Sequence, residues 1–512
     1  MKNSENRKWW IVAAMSLPLF ILTVDFFGIA VALPSIGRDL KTSTTGLEWT
    51  VNAFMLAFAA PLLAVGRLGD IAGRRKILLA GTAIFAFGSA LCGLARSDLA
   101  LIAARAIQGL GASMFFANSL SIVSNAFPAA QRGVGVGAWS SIGTIGSAIG
   151  PLVGGLLTQY LSWRWFFLVN IPIALAAIAL TLSAVPESRD ETAKRVDIPG
   201  FLSVTLGLVL LVMSVELVDN FGLLSAPVIG SLVSGVLVLL AFVLIESRVS
   251  NPLVEFSLFG SRSFLGSSGV AFLANYGFGA FTFFMTLYLQ HVLNFSPVTT
   301  GLVFLAYTLP FIPMSTVAGR AMQPWGARRC MAIGMFAIAI SFAVFAFISP
   351  VTGVVFVMAG FVLQSVGQAY AYNISTTAAM DVVPEQKAGE ASGLVSTVRM
   401  IAVVFGVAIT GALFKILEKN RMLELFAAAG RALTAAERSE VRGLLSGSLA
   451  AQAKLAALVP SAAHAVEGIV LGSFLHALDR VMILCFLLSI VGVGSALIVS
   501  VSRARLVPTA EK

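Results

Sequence analysis

The chain is a succession of long apolar runs broken by short polar stretches. A membrane-spanning helix needs about 20 predominantly apolar residues to cross a hydrocarbon core of about 30 Å. Runs of that length recur from one end of the chain to the other. About fourteen spans are predicted, near 9–33, 47–66, 77–95, 99–126, 134–158, 166–186, 200–219, 226–246, 264–290, 299–319, 330–349, 352–376, 391–416 and 475–501. A transmembrane barrel would show short strands of alternating polarity, and the pattern lacks them. The predicted fold is an all-α polytopic membrane protein. Pro18, Pro61, Pro151, Pro172, Pro227, Pro310 and Pro313 fall inside runs, where membrane helices tolerate proline and kink.

The polar stretch Gly66 to Lys76 reads G-R-L-G-D-I-A-G-R-R-K and predicts a tight turn between spans 2 and 3. An echo, G-R-A-M-Q-P-W-G-A-R-R, occupies Gly319 to Arg329, with the Gly66–Gly73 spacing repeated as Gly319–Gly326. That echo joins spans 10 and 11, so the second half starts at span 9. Two six-helix bundles are expected, at 9–186 and 264–502, with a linker and an inserted helix pair at 187–263. Parallel repeats with a site between them near the midplane are a known transporter plan. A charged link covers Glu187–Pro199, and residues 417–474 are expected to form a long outer loop. In that loop Thr434-Ala-Ala-Glu437 reads as a capping-box helix start.

Composition agrees with the pattern. Of 512 residues, 58% are hydrophobic and 11% charged, against about 25% charged in soluble chains; the mean hydropathy is +0.92. The formal charge of +10 raises a nucleic-acid partner, but the placement of the bases argues against one. Counted from a cytoplasmic N-terminus, Arg67, Arg74, Arg75, Lys76, Arg132, Arg189, Arg248, Arg320 and Arg328 fall on one side; the other side's short turns hold only Arg38, Lys41, Arg96 and Arg164. That is the positive-inside asymmetry. It places both termini in the cytoplasm of a multi-pass protein of the cytoplasmic (inner) cell membrane, with the lipid bilayer as its surroundings. Cys92, Cys330 and Cys485 fall in separate runs, with no disulfide framework or metal spacing. The basic N-terminus is similar to a signal peptide, but its run continues through Val31 and contains Asp25, which favours an uncleaved first helix.

Several motifs carry a resemblance. Besides Gly66–Lys76 there are Leu101-Ile-Ala-Ala-Arg105-Ala-Ile-Gln108-Gly109-Leu-Gly111 in span 4, and Gly146-x-x-x-Gly150-Pro151-x-x-Gly154-Gly155 in span 5. Trp163-Arg-Trp-Phe, Asn170-Ile-Pro172, Asp197-x-x-Gly200, Asn251-Pro252-Leu253 and Gly389-Glu-Ala-Ser-Gly393 follow in order. Along nearly its whole length the chain resembles the fourteen-span drug/proton antiporters of the major facilitator superfamily. The resemblance implies a conformational latch at Gly66, Asp70, Gly73, Arg74 and Arg75, where Asp70 switches partners as two bundles rock. The competing reading is a solvated turn. It also implies an antiporter motif in span 5, where Gly146, Gly150, Gly154 and Gly155 offer a flat face for another helix and Pro151 bends it.

The expected proton-coupling pair is Asp25 with Arg105. An ionisable group within a span costs about 2.5–3.5 kcal/mol on insertion scales and is functional by default. Asp25 lies about 24 Å along span 1 and Arg105 about 9 Å down span 4, at 1.5 Å per residue. In a core of about 30 Å the two depths nearly coincide, so the groups can meet directly or through water. A carboxylate there can carry a proton inward while a cationic substrate leaves; a fixed ion pair joining spans 1 and 4 is the alternative. Gln364, Gln368, Tyr372 and Thr376 recur every four residues in span 12, a polar face that lipid would not tolerate. With Tyr276 and Phe283 of the aromatic span 9, the residues Gln364, Gln368 and Tyr372 are expected to line a substrate cavity suited to a lipophilic cation through cation–π attraction. Arg399 reads as snorkelling or pairing with Glu390.

Departures from the family pattern are Phe27 and Ala30 where small polar residues are usual, Ile71 for an arginine, Ala117 for a proline, and Gln323 in the echo where the first turn has Asp70. They leave the fold untouched and put a polyspecific drug profile in question. The expected function is proton-coupled antiport exporting hydrophobic, cationic drugs or toxic compounds, with a proton as coupling ion and no cofactor. A dedicated proton-driven exporter of one metabolite, siderophore or lipid is the alternative; a membrane sensor or enzyme is a distant third. If the source is Gram-negative, a periplasmic adaptor would be a partner. No Walker A, Gly-x-Ser-x-Gly or His-Glu-x-x-His occurs, and His291, His464 and His476 are scattered, so enzymatic chemistry has no visible seat.

Overall fold

Short polar caps start the helices where the apolar runs begin. Ser43 accepts from the Gly46 amide at 3.2 Å, Ser97 from Ala100 at 3.3 Å, and Asp197 from Gly200 at 3.0 Å; each satisfies one orphan amide of a first turn. The structure is a computed structural model that describes residues 2–128, 132–189, 197–222, 224–249, 256–381, 388–428 and 463–499. The helices are α1 (Lys2–Leu40), α2 (Thr44–Ala59), α3 (Leu62–Ala72), α4 (Arg74–Leu94), α5 (Asp98–Ala126), α6 (Arg132–Tyr160), α7 (Trp163–Leu168) and α8 (Asn170–Ala184). They continue with α9 (Ile198–Phe221), α10 (Ala226–Glu246), α11 (Arg262–Leu287), α12 (Pro297–Phe345), α13 (Val354–Met380), α14 (Ala388–Ala428) and α15 (Ala463–Ile498). No strand occurs among the described residues.

By length and apolarity twelve described helices can cross a membrane, or thirteen counting one bent pair, against the fourteen expected. The bent pair is expected span 2. It breaks at Pro61 with a 46° bend between its two parts, because proline lacks an amide hydrogen and clashes with the preceding turn. The 49 residues of α12 would measure about 74 Å at 1.5 Å per residue, more than two core thicknesses. Gly326 interrupts it with φ 76° and ψ 157°, at the boundary expected between spans 10 and 11. Gly73, the matching glycine of the first turn, has φ 111°. Both positions use a backbone conformation that other residues adopt only with strain.

Three expectations are corrected. The tight turn expected over 66–76 narrows to a single residue: α3 and α4 are helical through the rest of the stretch, and Gly73 alone breaks them. The expected outer loop 417–474 is helical at both ends, since α14 runs to Ala428 and α15 starts at Ala463. Strong helix formers in KILEKNRMLELFAA carry α14 onward, although its polar residues end the apolar run on which the prediction relied. Third, Arg399 is 3% exposed and does not snorkel. The motif Asn251-Pro252-Leu253, the Thr434 capping box and link residues 190–196 lie outside the described residues, as do the side chains of Gly389–Gly393.

The chain forms two compact units. The first comprises residues 1–254, 278–305 and 403–481. Within it, α1 packs on α6 by glycine contacts at four-residue spacing. A Cβ at Gly146 would lie 2.2 Å from the Thr23 hydroxyl, one at Gly150 3.1 Å from the Val24 carbonyl oxygen, and one at Gly154 2.5 Å from that of Gly28. The flat face expected of α6 therefore meets α1. Gly155 points elsewhere, with the Pro297 carbonyl oxygen 2.6 Å from a would-be Cβ. Helices α4 and α5 approach in the same way through Gly81, Gly88 and Gly111. Small residues permit such backbone approach, which holds membrane helices together by van der Waals packing. The second unit comprises 255–277, 306–402 and 482–512. Its described helices pack through Gly334 against α13 and through Gly266 against α15.

Candidate functional site

Four helices of the first unit converge on one buried polar cluster. Asp25 comes from α1, Arg105 and Gln108 from α5, Ser89 from α4 and Thr50 from α2. Arg105 Nη1 donates to Asp25 Oδ2 at 2.6 Å and to Gln108 Oε1 at 2.7 Å, while Arg105 Nε donates to the Thr50 carbonyl at 3.1 Å. Gln108 Nε2 closes the ring by donating to Asp25 Oδ1 at 3.1 Å and to Ser89 Oγ at 2.9 Å. Both charged side chains are wholly buried. The guanidinium lies 4.1 Å from the Phe54 ring centroid and 5.6 Å from that of Phe167, adding cation–π attraction. Gly109 admits α2 to this place, since a Cβ there would lie 2.3 Å from the Phe54 carbonyl oxygen.

The two residues singled out at matching depths thus meet directly. Arg105 Nη2 has no hydrogen-bond partner among the described residues. A buried carboxylate paired this closely gives little net stability, yet losing one partner leaves the other charge stranded. Gln108, part of the span 4 motif, was not singled out; its signal was an amide three residues from an intramembrane arginine, on the same helix face.

At the 66–76 turn Asp70 pairs with Arg74 at 2.7 Å, one turn apart on α3 and α4. The start of the link grips the turn. Glu187 Oε1 accepts from the Arg75 amide at 3.0 Å, the Arg74 amide donates to the Ser188 carbonyl at 2.9 Å, and Arg75 Nη2 donates to the Leu182 carbonyl at 2.8 Å. Gly66 is partly exposed and the nearest atom to a Cβ there is 3.8 Å away, on Ala117. By sequence Glu187 is only the start of a charged link. A Cβ on Gly73 would stand 2.7 Å from its carboxylate. Gly73→Ala is therefore expected to lower stability by about 1–3 kcal/mol, the usual cost of an unfavourable backbone region. Thermal unfolding in detergent reads it, and an unchanged midpoint would contradict the assignment.

The residues expected to line a substrate cavity divide between the units. Phe283 belongs to the first, where it helps enclose an apolar cavity of about 20 Å³ with Phe26, Val51, Met55, Phe278 and Val407 among its walls. Phe27, one of the departures from the family pattern, packs on Phe278 with ring centroids 5.5 Å apart. Tyr276, Gln364, Gln368 and Tyr372 belong to the second unit. Gln364 Oε1 accepts from Ser341 Oγ, and Gln368 Nε2 approaches Asn275 Oδ1 at 3.5 Å. Gln364 Nε2 and Gln368 Oε1 have no partner among the described residues. Further along the same face, Arg399 donates to the Tyr372 carbonyl and to the Thr376 and Ser375 hydroxyls, with its guanidinium 3.7 Å from the Tyr372 ring centroid. Asn275 and Ser341 carried no sequence signal, because single polar residues in apolar runs usually bond their own helix.

Twelve described helices able to cross a membrane, or thirteen with the bent pair, and an ion pair buried among those of the first unit define a polytopic membrane protein. The profile of the Major Facilitator Superfamily matches residues 15–407, and the chain belongs to that family. It is 34% identical over 402 residues to the multidrug resistance protein Stp of Mycobacterium tuberculosis (strain ATCC 25618 / H37Rv), covering 78% of this chain and 74% of the relative. It is 33% identical over 414 residues to the multidrug efflux pump LfrA of Mycolicibacterium smegmatis, covering 80% and 81%. Among solved structures, a bacterial homolog of the human lysosomal transporter Spinster, inward-facing and occupied, superposes with a TM-score of 0.65 over 95% of each chain at 15% identity. That likeness concerns the fold.

Proposed function

We propose that this protein is a proton-driven antiporter that exports hydrophobic, cationic drugs or toxic compounds. The observation that carries the reading is the fully buried Asp25–Arg105 pair, an expensive group to keep in a membrane helix unless it works. In this reading Asp25 takes up a proton from outside and gives it up inside, Arg105 and Gln108 stabilise its charged form, and fourteen spans place both termini in the cytoplasm. The bundles are 9–186 and 264–502, and the pair at 187–263 is an insertion. Asp70, Arg74 and Arg75 with their glycines latch the cytoplasmic side. Tyr276, Phe283, Gln364, Gln368 and Tyr372 contact the substrate in turn. The names of the relatives, a multidrug resistance protein and a multidrug efflux pump, support drugs as cargo. The driving force is the proton's electrical energy of about 2.3 kcal/mol per 100 mV.

A dedicated exporter of one compound is the second reading. Gln364 and Gln368, each with a buried polar atom unmatched among the described residues, favour a substrate that brings its own hydrogen-bonding groups. Uptake by inverted vesicles, energised by an acidic lumen, separates the two over a panel of cationic, neutral and anionic dyes. Accumulation of several cationic dyes that collapses with an uncoupler is expected. Transport of neutral or anionic dyes alone would select the dedicated exporter, and accumulation indifferent to the uncoupler would remove the proton.

A further inference from the structure

In the first unit, the end of the helices remote from Gly73 is a seam between the two halves of the sequence. Gln290 Nε2 donates to the Val31 carbonyl at 2.9 Å, and the Val298 amide donates to Gln159 Oε1 at 3.1 Å. A Cβ at Gly301 would lie 2.5 Å from the Pro151 carbonyl oxygen. Along α14, Val403, Val407, Gly411 and Lys415 recur every four residues and so form one stripe. Val403 and Val407 join Val51 and Met55 of α2 around the small apolar cavity. Gly411 has no room for a side chain, since a Cβ would lie 2.2 Å from Glu48 Oε1. The stripe ends in charge: Lys415 Nζ lies 2.6 Å from Glu48 Oε2 and donates to Thr45 Oγ1 at 2.8 Å.

This pair is buried, with side-chain exposures of 6% for Lys415 and 0% for Glu48. One turn further along α2, Asn52 is wholly buried, and neither atom of its amide has a hydrogen-bond partner among the described residues. Apolar side chains of similar size would close this seam at least as well, because a buried ion pair recovers little more than its own desolvation. An unmatched amide is worse than none. Such groups make sense where the seam also exists parted. Water then meets the carboxylate, the ammonium and the amide, and the parted state is not penalised by bare apolar walls. Pairing offsets their burial in the closed state; hydration does so in the open one. A two-state element needs that near balance.

We propose that Glu48 and Lys415, with Thr45 and Asn52 beside them, are the lock of a gate at the end of the first unit remote from Gly73. The gate is closed here and opens by separation of this ion pair. The proposal rests on the transport reading for its purpose, and its test does not use transport. In a background with Cys92, Cys330 and Cys485 replaced by serine, Val407→Cys reports access to the seam. Vesicles of both orientations are treated with a membrane-impermeant maleimide, without substrate. Glu48→Gln and Lys415→Met are each expected to speed labelling at least about five-fold, in one orientation only. The charge exchange Glu48→Lys with Lys415→Glu should return the rate to within about two-fold of the parent, and gel filtration confirms folded protein in each case. Parental rates in both single variants would overturn the lock. So would fast labelling that the exchange fails to reverse, since packing damage rather than charge would then be the cause. Should the dyes not be transported while labelling follows this pattern, the transport reading falls and the gate stands.

Discussion

Asp25→Asn is expected to abolish substrate-driven proton flux in proteoliposomes, a loss of at least about ten-fold, while the protein still inserts and folds. The amide keeps the size and hydrogen-bonding capacity that Gln108 needs, but it cannot carry the charge that Arg105 faces at 2.6 Å. Removing one member of a buried pair costs about 3–5 kcal/mol, because the surviving charge is stranded. Stability should therefore fall as well, which makes a second measurement necessary. Arg105→Gln in the same chain takes away the stranded charge, so the double variant should regain much of the lost thermal stability and none of the flux. Flux undiminished in Asp25→Asn would leave the pair a structural tie between α1 and α5. Recovery of flux in the double variant would point to the same conclusion.

Gly154→Val is expected to leave little folded protein in the membrane. The added Cβ would fall 2.5 Å from the Gly28 carbonyl oxygen, and both partners are main chain in the middle of long helices. Neither can rotate away, so α1 and α6 must separate along the contacts at Gly146 and Gly150 as well. Overpacking of a core by single methyl groups costs about 1–3 kcal/mol, and a displaced helix pair adds lost contacts along its length. Gly137→Val, in the same helix, is the control. Nothing lies within 4 Å of a Cβ there, and valine is the better helix former of the two, so the change should leave the yield unchanged. Fluorescence-detected gel filtration of both variants compares them directly. Equal yields would show that the glycines of α6 are not the contact the packing makes them.

Much of the fold follows from local pattern, and part of the candidate site does too. Apolar runs locate helices because lipid leaves the backbone no other way to satisfy itself. Repetition of a glycine spacing located Gly73 and Gly326, and both have positive φ. Asp25 and Arg105 were legible because a charge in an apolar run is conspicuous and helix rise converts residue number into depth. Glu48, Lys415 and Arg399 were equally conspicuous in principle. Lying near the ends of expected spans, however, they were indistinguishable from interfacial residues that reach for water.

What the sequence determined by itself is the class of molecule and its periodicities: the apolar runs, the repeated glycine spacing, the polar face of α13, and the paired depth of one acid and one base. Only tertiary structure decided partners. It set Glu187 against Gly73, placed Lys415 on Glu48 across 367 positions of sequence, turned Arg399 onto Tyr372, and carried α14 past the residues expected to end it. The reason is physical. Helix formation and insertion depend on neighbours three or four residues away and on lipid, so they are written locally. The cost of a buried charge depends on what stands opposite it, and that is settled only when distant helices pack.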